Sequence, residues 1–411
     1  MIIAQTTVDS GLLTVDSGPR FLAAGFFSGT FDPNVWARVP FHFWSLAFFV
    51  FGCNIGSFLN VCIHRMPLGQ SIASPPSHCP HCKYSIPWYL NIPLVTWLVL
   101  RGRCKNCGAP ISGRYFLVEF LTGVVFLACW NVFGRQSAIL ALLYCLILAG
   151  LIVATFIDFE HFIIPDEITI GGMGVGLVVS VLFPVLHDNG IWLSDKLKDQ
   201  FDAHVSSPHL LGGLESLLGM GIGAGLIYAI VRLGKLLFGR QRIEIPESVK
   251  IVFSETGIYL GDKEIPYEEL FYRRTDTVTL RAKTLELADR CYRDVEVRLT
   301  PQKLRIGEDE FDPEQVPHLE AISGEVVLPR EAMGFGDVKF MGAIGAFLGW
   351  QSVVFSLMIS SVIGSIVGLL LIVCRKREWS SRLPYGPYIA LAAAIWVFGG
   401  KHLFEMWFQP K

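Results

Sequence analysis

The chain has 411 residues, of which 52% are apolar and 17% are charged, and its formal net charge is −2. A soluble globular protein carries more charged residues than this, so the composition indicates a membrane protein. The lack of a basic excess argues against a nucleic-acid-binding protein.

Residues 1–41 form a lead-in in which we predict no cleavable signal peptide, because a basic start, a compact apolar core and a small-residue cleavage site are missing. A transmembrane helix needs about 20 mostly apolar residues. Eight segments approach or meet this requirement, and the sixth of them is short: 42–63, 115–133, 137–157, 168–186, 211–238, 338–350, 352–374 and 386–407. We therefore predict an all-α polytopic membrane protein with about eight transmembrane helices.

The first segment, 42–63, is followed by a polar loop at 64–114. Six Lys or Arg residues and no Asp or Glu lie between Ile63 and Arg114. Such a loop is typical of the cytoplasmic side of a membrane. Alternating eight crossings from this loop places both termini outside and the end of the third segment inside.

Four cysteines in the loop form two Cys-x-x-Cys pairs, "CPHC" (79–82) and "CKNC" (104–107). This spacing is typical of a structural zinc site with four thiolate ligands and no open position. The alternatives are two disulfides or four free thiols, and a cytoplasmic location disfavours disulfides. We predict a cytoplasmic zinc-binding loop whose ligands are Cys79, Cys82, Cys104 and Cys107.

Residues 115–238 contain four more predicted transmembrane helices, and the motif "FIDFEHFIIPD" (156–166) follows the second of these. Asp158 continues this apolar helix, and an ionisable residue within a membrane segment indicates a functional site. Asp166 follows Pro165 and precedes the next apolar run, so its position predicts a helix N-cap. Glu160 and His161 are interpreted as solvated loop residues.

A hydrophilic insert occupies 239–331 and contains an internal duplication. The stretches 248–270 and 294–316 align without a gap at an offset of 46 residues, each with alternating apolar residues on both sides of a turn at 254–257 or 300–303. A further strand is predicted after each copy, at 277–282 and 325–330. We predict a small cytoplasmic β domain that binds a partner still to be identified or regulates the protein, because it lacks a Cys/His cluster and a phosphate-binding loop.

The last part, 332–411, returns to the membrane and contains "GFGDVKF" (334–340). Asp337 is either the N-cap of the following helix or a functional carboxylate. Gly334 and Gly336 favour function, since they allow a substrate to approach the backbone, and Lys339 adds a charge that could bias the ionisation of Asp337. Two aspartates at helix ends on one side of the membrane suggest a carboxylate pair that shares one proton, as in aspartic peptidases.

Taken with these motifs, the sequence resembles the type IV prepilin peptidase family of bacterial membrane aspartic peptidases. The resemblance is carried by 56–67, the two cysteine pairs, 88–104, 113–123, 156–166, 334–350 and 383–393. It implies that Asp158 and Asp337 are catalytic and that the active site faces the cytoplasm from the bacterial inner membrane. It also implies cleavage of leader peptides from prepilins or type II secretion pseudopilins and, for many members, N-methylation with S-adenosylmethionine.

Two features differ from the family pattern. Leu90 in "WYLNIP" replaces an aspartate, which weakens the expectation of methyltransferase activity, and the insert at 239–331 is far longer than the usual link. The alternative function is a zinc-loop membrane transporter or scaffold in which Asp158 and Asp337 line an ion path. Such a transporter would show repeated halves, and the sequence has none.

Overall fold

The computed structural model describes residues 40–190, 207–238, 240–244, 250–254, 256–261, 263–271, 276–287, 290–313, 316, 318–329, 334–374 and 384–408. The lead-in predicted at 1–41 lies outside these residues except for its last two positions. Among the described residues, 40–61 and 75–149 form one compact unit, and 62–74 together with 150–408 form a second.

Helices make up most of the described chain. The α-helices are α1 Phe41–Arg65, α2 Val95–Val99, α3 Gly113–Phe133, α4 Ala138–His161, α5 Asp166–Leu182, α6 Pro208–Phe238, α7 Tyr267–Leu270, α8 Phe335–Val373, α9 Gly386–Ile395 and α10 Lys401–Phe408. Within the described residues, six helical stretches are long and apolar enough to cross a membrane: Phe41–Leu68, Gly113–Phe133, Ala138–His161, Pro208–Leu236, Phe335–Val373 and Gly386–Phe408. The chain is therefore a multi-pass helical membrane protein.

Two differences separate these six stretches from the eight predicted segments. Helix α5 has only 17 residues, and the 39-residue helix α8 contains two predicted segments. At Gly349 the backbone of α8 leaves the helical region, with φ 78° and ψ 171°. A Cβ atom added to Gly345 would lie 3.0 Å from the side chain of Val353, whereas eight residues of straight helix span about 12 Å. Helix α8 therefore turns back on itself at Gly349.

The first unit is held together by close contact between α1 and α3. Gly52 and Gly56, four residues apart on α1, face α3 at positions where a side chain would not fit. A Cβ atom at Gly52 would lie 2.8 Å from Cβ of Phe126, and one at Gly56 would lie 2.7 Å from Cα of Glu119. Small residues at this spacing let two membrane helices approach backbone to backbone.

Glycines have the same function in the second unit, where α5 and α6 pack against α8. Gly219 of α6 contacts the backbone of Gly345, and Gly223 contacts the backbone at Met341. On α5, a Cβ atom added to Gly176 would lie 2.9 Å from Cβ of Ala346. These contacts fix the first half of α8, which begins two residues before Asp337.

The insert folds as a separate β domain. Its strands are β1 Arg240–Glu244, β2 Lys250–Phe253, β3 Gly257–Leu260, β4 Lys263–Pro266, β5 Val278–Glu286, β6 Cys291–Leu299, β7 Leu304–Ile306, β8 Asp309–Phe311, β9 Leu319–Ile322 and β10 Glu325–Pro329. They form one antiparallel sheet in the order β4-β3-β2-β9-β5-β6-β7-β8, and β10 pairs with both β1 and β5.

The sheet reproduces the internal duplication seen in the sequence. Both predicted hairpins are present, β2–β3 around 254–257 and β6–β7 around 300–303. The strand order is symmetric about the β9–β5 pair, since β2-β3-β4 extends on one side and β6-β7-β8 on the other. Sixteen buried apolar residues form the core of the domain, including Ile251 and Val297, which the 46-residue offset places at equivalent positions of the two copies.

Because it has a core of its own, the β domain is expected to fold when expressed alone. From the sequence alone we predict that 243–330 of the insert folds independently, and the pairing of β1 with β10 moves the first residue of the domain back to Arg240. We expect a β-type circular dichroism spectrum and a cooperative thermal transition for residues 240–329. A spectrum of an unfolded chain would contradict this prediction.

Candidate active site and metal centre

Asp158 lies in the last turn of α4 and is 6% exposed. Its Oδ2 atom accepts a hydrogen bond of 2.9 Å from the backbone N–H of Gly386. Gly386 is the first residue of α9, and the partial positive charge at a helix N-terminus stabilises a carboxylate there. This contact therefore fixes the position of one predicted catalytic carboxyl group.

Asp337 is the third residue of α8 and is 8% exposed. The N-cap of this helix is Gly334, with φ −69° and ψ 149°, so the alternative that Asp337 is the N-cap is wrong. Its carboxyl group instead faces back toward the amide of Gly334, as the third residue of a capping box does.

The structure brings Asp158 and Asp337 together, although 179 positions separate them in the sequence numbering. The two buried carboxyl groups are close enough to interact electrostatically. The side chain of Ile164 lies beside both Gly336 and Gly386, the residues at the starts of α8 and α9. A pair of carboxyl groups on three converging helix ends, out of bulk water, is an arrangement that can bind and polarise one water molecule.

Asp166 and Lys339 have different partners from those expected. Helix α5 begins at Asp166, its N-cap is Pro165, and no side chain caps it, so the capping interpretation of Asp166 is wrong. Its Oδ1 atom instead accepts a hydrogen bond of 2.6 Å from Nζ of Lys339. This ion pair joins the first turns of α5 and α8. Lys339 thus binds Asp166, and no hydrogen bond or ion pair from it to Asp337 is found among the described residues.

Sequence analysis did not identify Gly386 as part of this site. The local signal was present, because Gly386 and Pro387 open an apolar run and proline is common in the first turn of a helix. What the sequence could not indicate is that this helix start meets Asp158, 228 residues away.

If Asp158 is catalytic, as the resemblance implies, substitution Gly386→Ala is expected to lower activity about 10- to 100-fold, since displacing a catalytic group by about 1 Å has such effects. A Cβ atom at this position would lie 2.7 Å from Oδ2 of Asp158 and 3.1 Å from Ile164. The carboxyl group would have to move away from the amide that holds it. Cleavage kinetics at equal zinc content and equal thermal stability measure this effect.

The matched control is Gly364→Ala, because a Cβ atom at Gly364 would make only ordinary contacts of 3.5 Å or more. This variant is expected to keep the wild-type rate. Equal rates for Gly386→Ala and Gly364→Ala would show that the contact with Asp158 has no catalytic importance.

The four cysteines of the loop form a compact cluster in the first unit. Their Sγ atoms all lie within 4.8 Å of one another, and two of the pairs, Cys79–Cys107 and Cys82–Cys104, are separated by 3.9 Å. A tetrahedral site with Zn–S bonds of about 2.3 Å requires S···S distances of about 3.8 Å, whereas a disulfide requires about 2.05 Å. The cluster could therefore hold a metal ion.

Both Cys-x-x-Cys turns are built in the same way. The N–H of the first cysteine donates to the carbonyl five residues on, at Tyr84 and at Ala109, and the residue four positions after each first cysteine donates back to it. The Asn106 side chain donates to Sγ of Cys82. This bond, together with the Tyr84 backbone N–H and the neighbouring cysteines, lowers the pKa of Cys82 from 9.0 to about 6. Thiolates stabilised in this way are the form that binds metal.

Two family descriptions match the chain. Residues 50–133 match the "Bacterial Peptidase A24 N-terminal domain", and residues 319–369 match the "Type IV leader peptidase family". The first range includes the four cysteines and the second includes Asp337, whereas Asp158 lies outside both. No solved structure matches the chain.

Similar proteins have names that also refer to leader peptidases. A "Prepilin leader peptidase/N-methyltransferase" of Aeromonas hydrophila is 27% identical over 387 residues, which are 88% of this chain and 92% of that protein. The protein of that name from Myxococcus xanthus is 49% identical over 33% of this chain and 40% of its own length. The one from Klebsiella pneumoniae is 37% identical over 36% of this chain and 67% of its own length. The chain therefore belongs to the type IV leader peptidase family.

Proposed function

We propose that this chain is an aspartic endopeptidase that removes the leader peptide from type IV prepilins or type II secretion pseudopilins, using Asp158 and Asp337. Family membership and the names of its relatives support leader-peptide processing. The assignment to these two residues rests on one observation. Their buried carboxyl groups lie close enough to interact electrostatically, and the Gly386 backbone N–H donates a hydrogen bond to Asp158.

The reaction follows from the geometry of the pair. Two close carboxyl groups out of bulk water share one proton, so one is ionised and the other is protonated. The ionised carboxylate takes a proton from the bound water as the water oxygen attacks the scissile carbonyl carbon. The protonated carboxyl group donates a hydrogen bond to the developing oxyanion. Collapse of the tetrahedral intermediate breaks the C–N bond, and the leaving amine takes a proton from the pair.

The catalytic pair belongs at the cytoplasmic face of the inner membrane if the chain crosses the bilayer eight times. Eight crossings follow when α5 spans and α8 counts as two helices that meet at Gly349. This topology puts Asp158, Lys339 and the start of α9 at one surface, where their contacts are found. It puts the hydrogen bond from Ser180 to the Ala346 carbonyl near the other surface.

We further propose that Cys79, Cys82, Cys104 and Cys107 bind one structural zinc ion. Four sulfur ligands leave no position for substrate, so the ion stabilises the loop and takes no part in the cleavage. The distances between the sulfurs and the stabilised thiolate of Cys82 support this assignment.

N-methylation of the new N-terminus is the second activity that we propose, because several relatives are named N-methyltransferases. S-adenosylmethionine, when bound, supplies the methyl group. One feature of the first unit fits such a polar ligand: Oδ1 of Asn60 is buried without a hydrogen-bond partner, while its Nδ2 donates to the carbonyl of Tyr115. Asn60 would accept a hydrogen bond from the cofactor.

The β domain contributes no residue to the proposed cleavage or to the proposed methylation. Lys235 near the end of α6 donates a hydrogen bond of 2.7 Å to the buried Asp276 of the domain, which fastens the domain to the membrane helices. We propose that it binds a cytoplasmic partner. Its described surface carries no large exposed apolar side chain, so this partner would bind through charged groups.

Incubating the full-length protein in lipid vesicles with a candidate prepilin tests the function. Mass spectrometry of the product should show a new N-terminus at the leader junction. With S-adenosylmethionine present, the mass should increase by one methyl group. If the wild-type protein leaves each of a range of candidate prepilins intact, the peptidase assignment is contradicted. Cleavage without methylation would contradict only the second activity.

A further inference from the structure

The first unit exposes a group of apolar side chains next to its cysteine cluster. In the segment 88–99 these are Trp88, Tyr89, Ile92, Val95, Leu98 and Val99, and the exposed fractions of Trp88 and Val99 reach 83% and 74%. We propose that the segment 92–99 is a shallow re-entrant segment that enters the bilayer and binds phospholipid, with Trp88 and Tyr89 at the membrane–water interface.

The depth of the segment follows from its contact with α3. The backbone N–H of Leu94 donates a hydrogen bond of 2.8 Å to Oε2 of Glu119, six residues after the first residue of α3. At 1.5 Å per residue this is about 9 Å along the helix axis. Helix α3 has 21 residues, about the thickness of the hydrocarbon core, so little of it extends beyond the bilayer. Leu94 therefore lies well below the membrane surface.

A second contact places the segment alongside the same helix. The ring of Trp97 packs against Phe116, with 5.2 Å between the centroids, and its Nε1 donates to the carbonyl of Ile111. On α3, the neighbouring residues Leu117 and Phe120 are 52% and 45% exposed, as expected of side chains that face lipid. The apolar side chains of α2 are exposed at the same level of the helix.

Four backbone N–H groups of the segment, those of Leu94, Val95, Thr96 and Leu98, donate hydrogen bonds within the structure. An N–H group without a hydrogen-bond partner is strongly unfavourable in the hydrocarbon region, because no water is present to accept its hydrogen bond. Leu94 is the centre of a tight γ-turn, with φ 61° and ψ −51°, in which Val95 N–H donates to the Pro93 carbonyl. This turn leaves the Leu94 N–H pointing away from the segment, and Glu119 accepts it.

Glu119 is the sole acidic residue between positions 40 and 157. It is 9% exposed, and burying a carboxylate is costly unless it satisfies a specific donor. The Leu94 amide is such a donor. We therefore assign to Glu119 the anchoring of the segment at this depth.

Charge complementarity selects lipid as the occupant of this surface. Arg101 and Arg103 follow the segment directly and are exposed, Lys105 lies over the ring of Tyr89 at 5.8 Å, and no Asp or Glu is present from 64 to 113. Basic residues at the membrane surface attract anionic headgroups, and Trp and Tyr prefer the interface. Since α1 and α3 cross the bilayer on either side of the loop, anionic phospholipid lies next to this segment.

Photo-crosslinking in vesicles tests the proposal. The full-length protein is prepared with p-benzoylphenylalanine in place of Val99 and reconstituted in phosphatidylethanolamine and phosphatidylglycerol without substrate. After irradiation, mass spectrometry identifies the adducts. The probe in place of Phe120 gives the lipid-facing reference, and the probe in place of Glu308, exposed on the β domain, gives the aqueous reference. We expect lipid adducts at position 99 within about threefold of position 120 and at least tenfold above position 308.

Two outcomes would overturn the proposal. Lipid adducts at position 99 no more frequent than at position 308 would place the segment in water. Adducts mainly to a second copy of the chain, or to a prepilin when one is added, would identify a protein-binding surface instead. Glu119→Leu should lower lipid labelling at position 99 several-fold, whereas Glu119→Gln, which keeps a carbonyl acceptor for Leu94, should retain it. If Glu119→Leu fails to fold, the labelling of the otherwise wild-type protein still decides.

Discussion

Replacing Asp158 or Asp337 by asparagine is expected to lower the rate of leader-peptide cleavage by about 10³-fold or more. At either position, an asparagine side chain can neither take a proton from water nor share one with the other carboxyl group. The double variant is expected to be little worse than either single one, because residues that act as a unit do not contribute additively. Cleavage rates under single-turnover conditions measure all three.

Asparagine has nearly the shape of aspartate, so these variants should keep wild-type expression, zinc content and thermal stability. Asp166→Asn is the informative comparison. It weakens the ion pair with Lys339, but the Asp166 side chain is 61% exposed, and exposed ion pairs contribute about 0–1 kcal/mol. We expect it to retain a large part of the activity. Wild-type rates in either Asp158→Asn or Asp337→Asn would remove the proposed mechanism.

Replacing Cys79 by serine is expected to abolish zinc binding and to unfold the loop between α1 and α3. Folding and metal binding are coupled in sites of this kind, with apparent binding energies on the order of 10 kcal/mol. The variant should contain no zinc by elemental analysis, where the wild-type chain contains one ion. Limited proteolysis should cut the loop much faster than in the wild-type protein.

Cys291→Ser is the control for this experiment, because Cys291 is exposed on strand β6 and belongs to no metal-binding cluster within the described part of the chain. It should keep its zinc and its resistance to proteolysis. The two aspartates lie in the second unit and the cysteines in the first. Loss of zinc is therefore expected to affect methylation more than cleavage. An intact, protease-resistant loop in zinc-free Cys79→Ser would contradict the structural function of the metal.

Structural elements that depend on residues close together in the sequence could be predicted. The apolar segments correspond to the observed helices within a few residues, and the duplication predicted both hairpins of the β domain. The cysteine cluster could be predicted because the spacing within each pair fixes its geometry. The sequence did not predict that Lys339 and Asp166 are partners. Lys339 binds Asp166 across 173 residues, and local patterns contain no information about such pairs.

Backbone features that depend on packing were also missed. Gly349 lies near the end of the predicted segment 338–350, yet only its positive φ shows that the two helical halves meet there directly, without a loop. The γ-turn at Leu94 uses a conformation that a leucine rarely adopts, and nothing in "NIPLVTW" indicates it. Both depend on contacts made elsewhere in the fold.

The pairing of β1 with β10 has a consequence for how this protein can vary. Arg240 is paired with Pro329 in the sheet, so the ends of an insert of about 90 residues lie about 5 Å apart. The insert therefore separates the chain on its two sides by no more than a tight turn would. A short peptide could join the same two ends. Domains joined through such adjacent ends can be gained, lost or exchanged between related proteins while the catalytic aspartates keep their places.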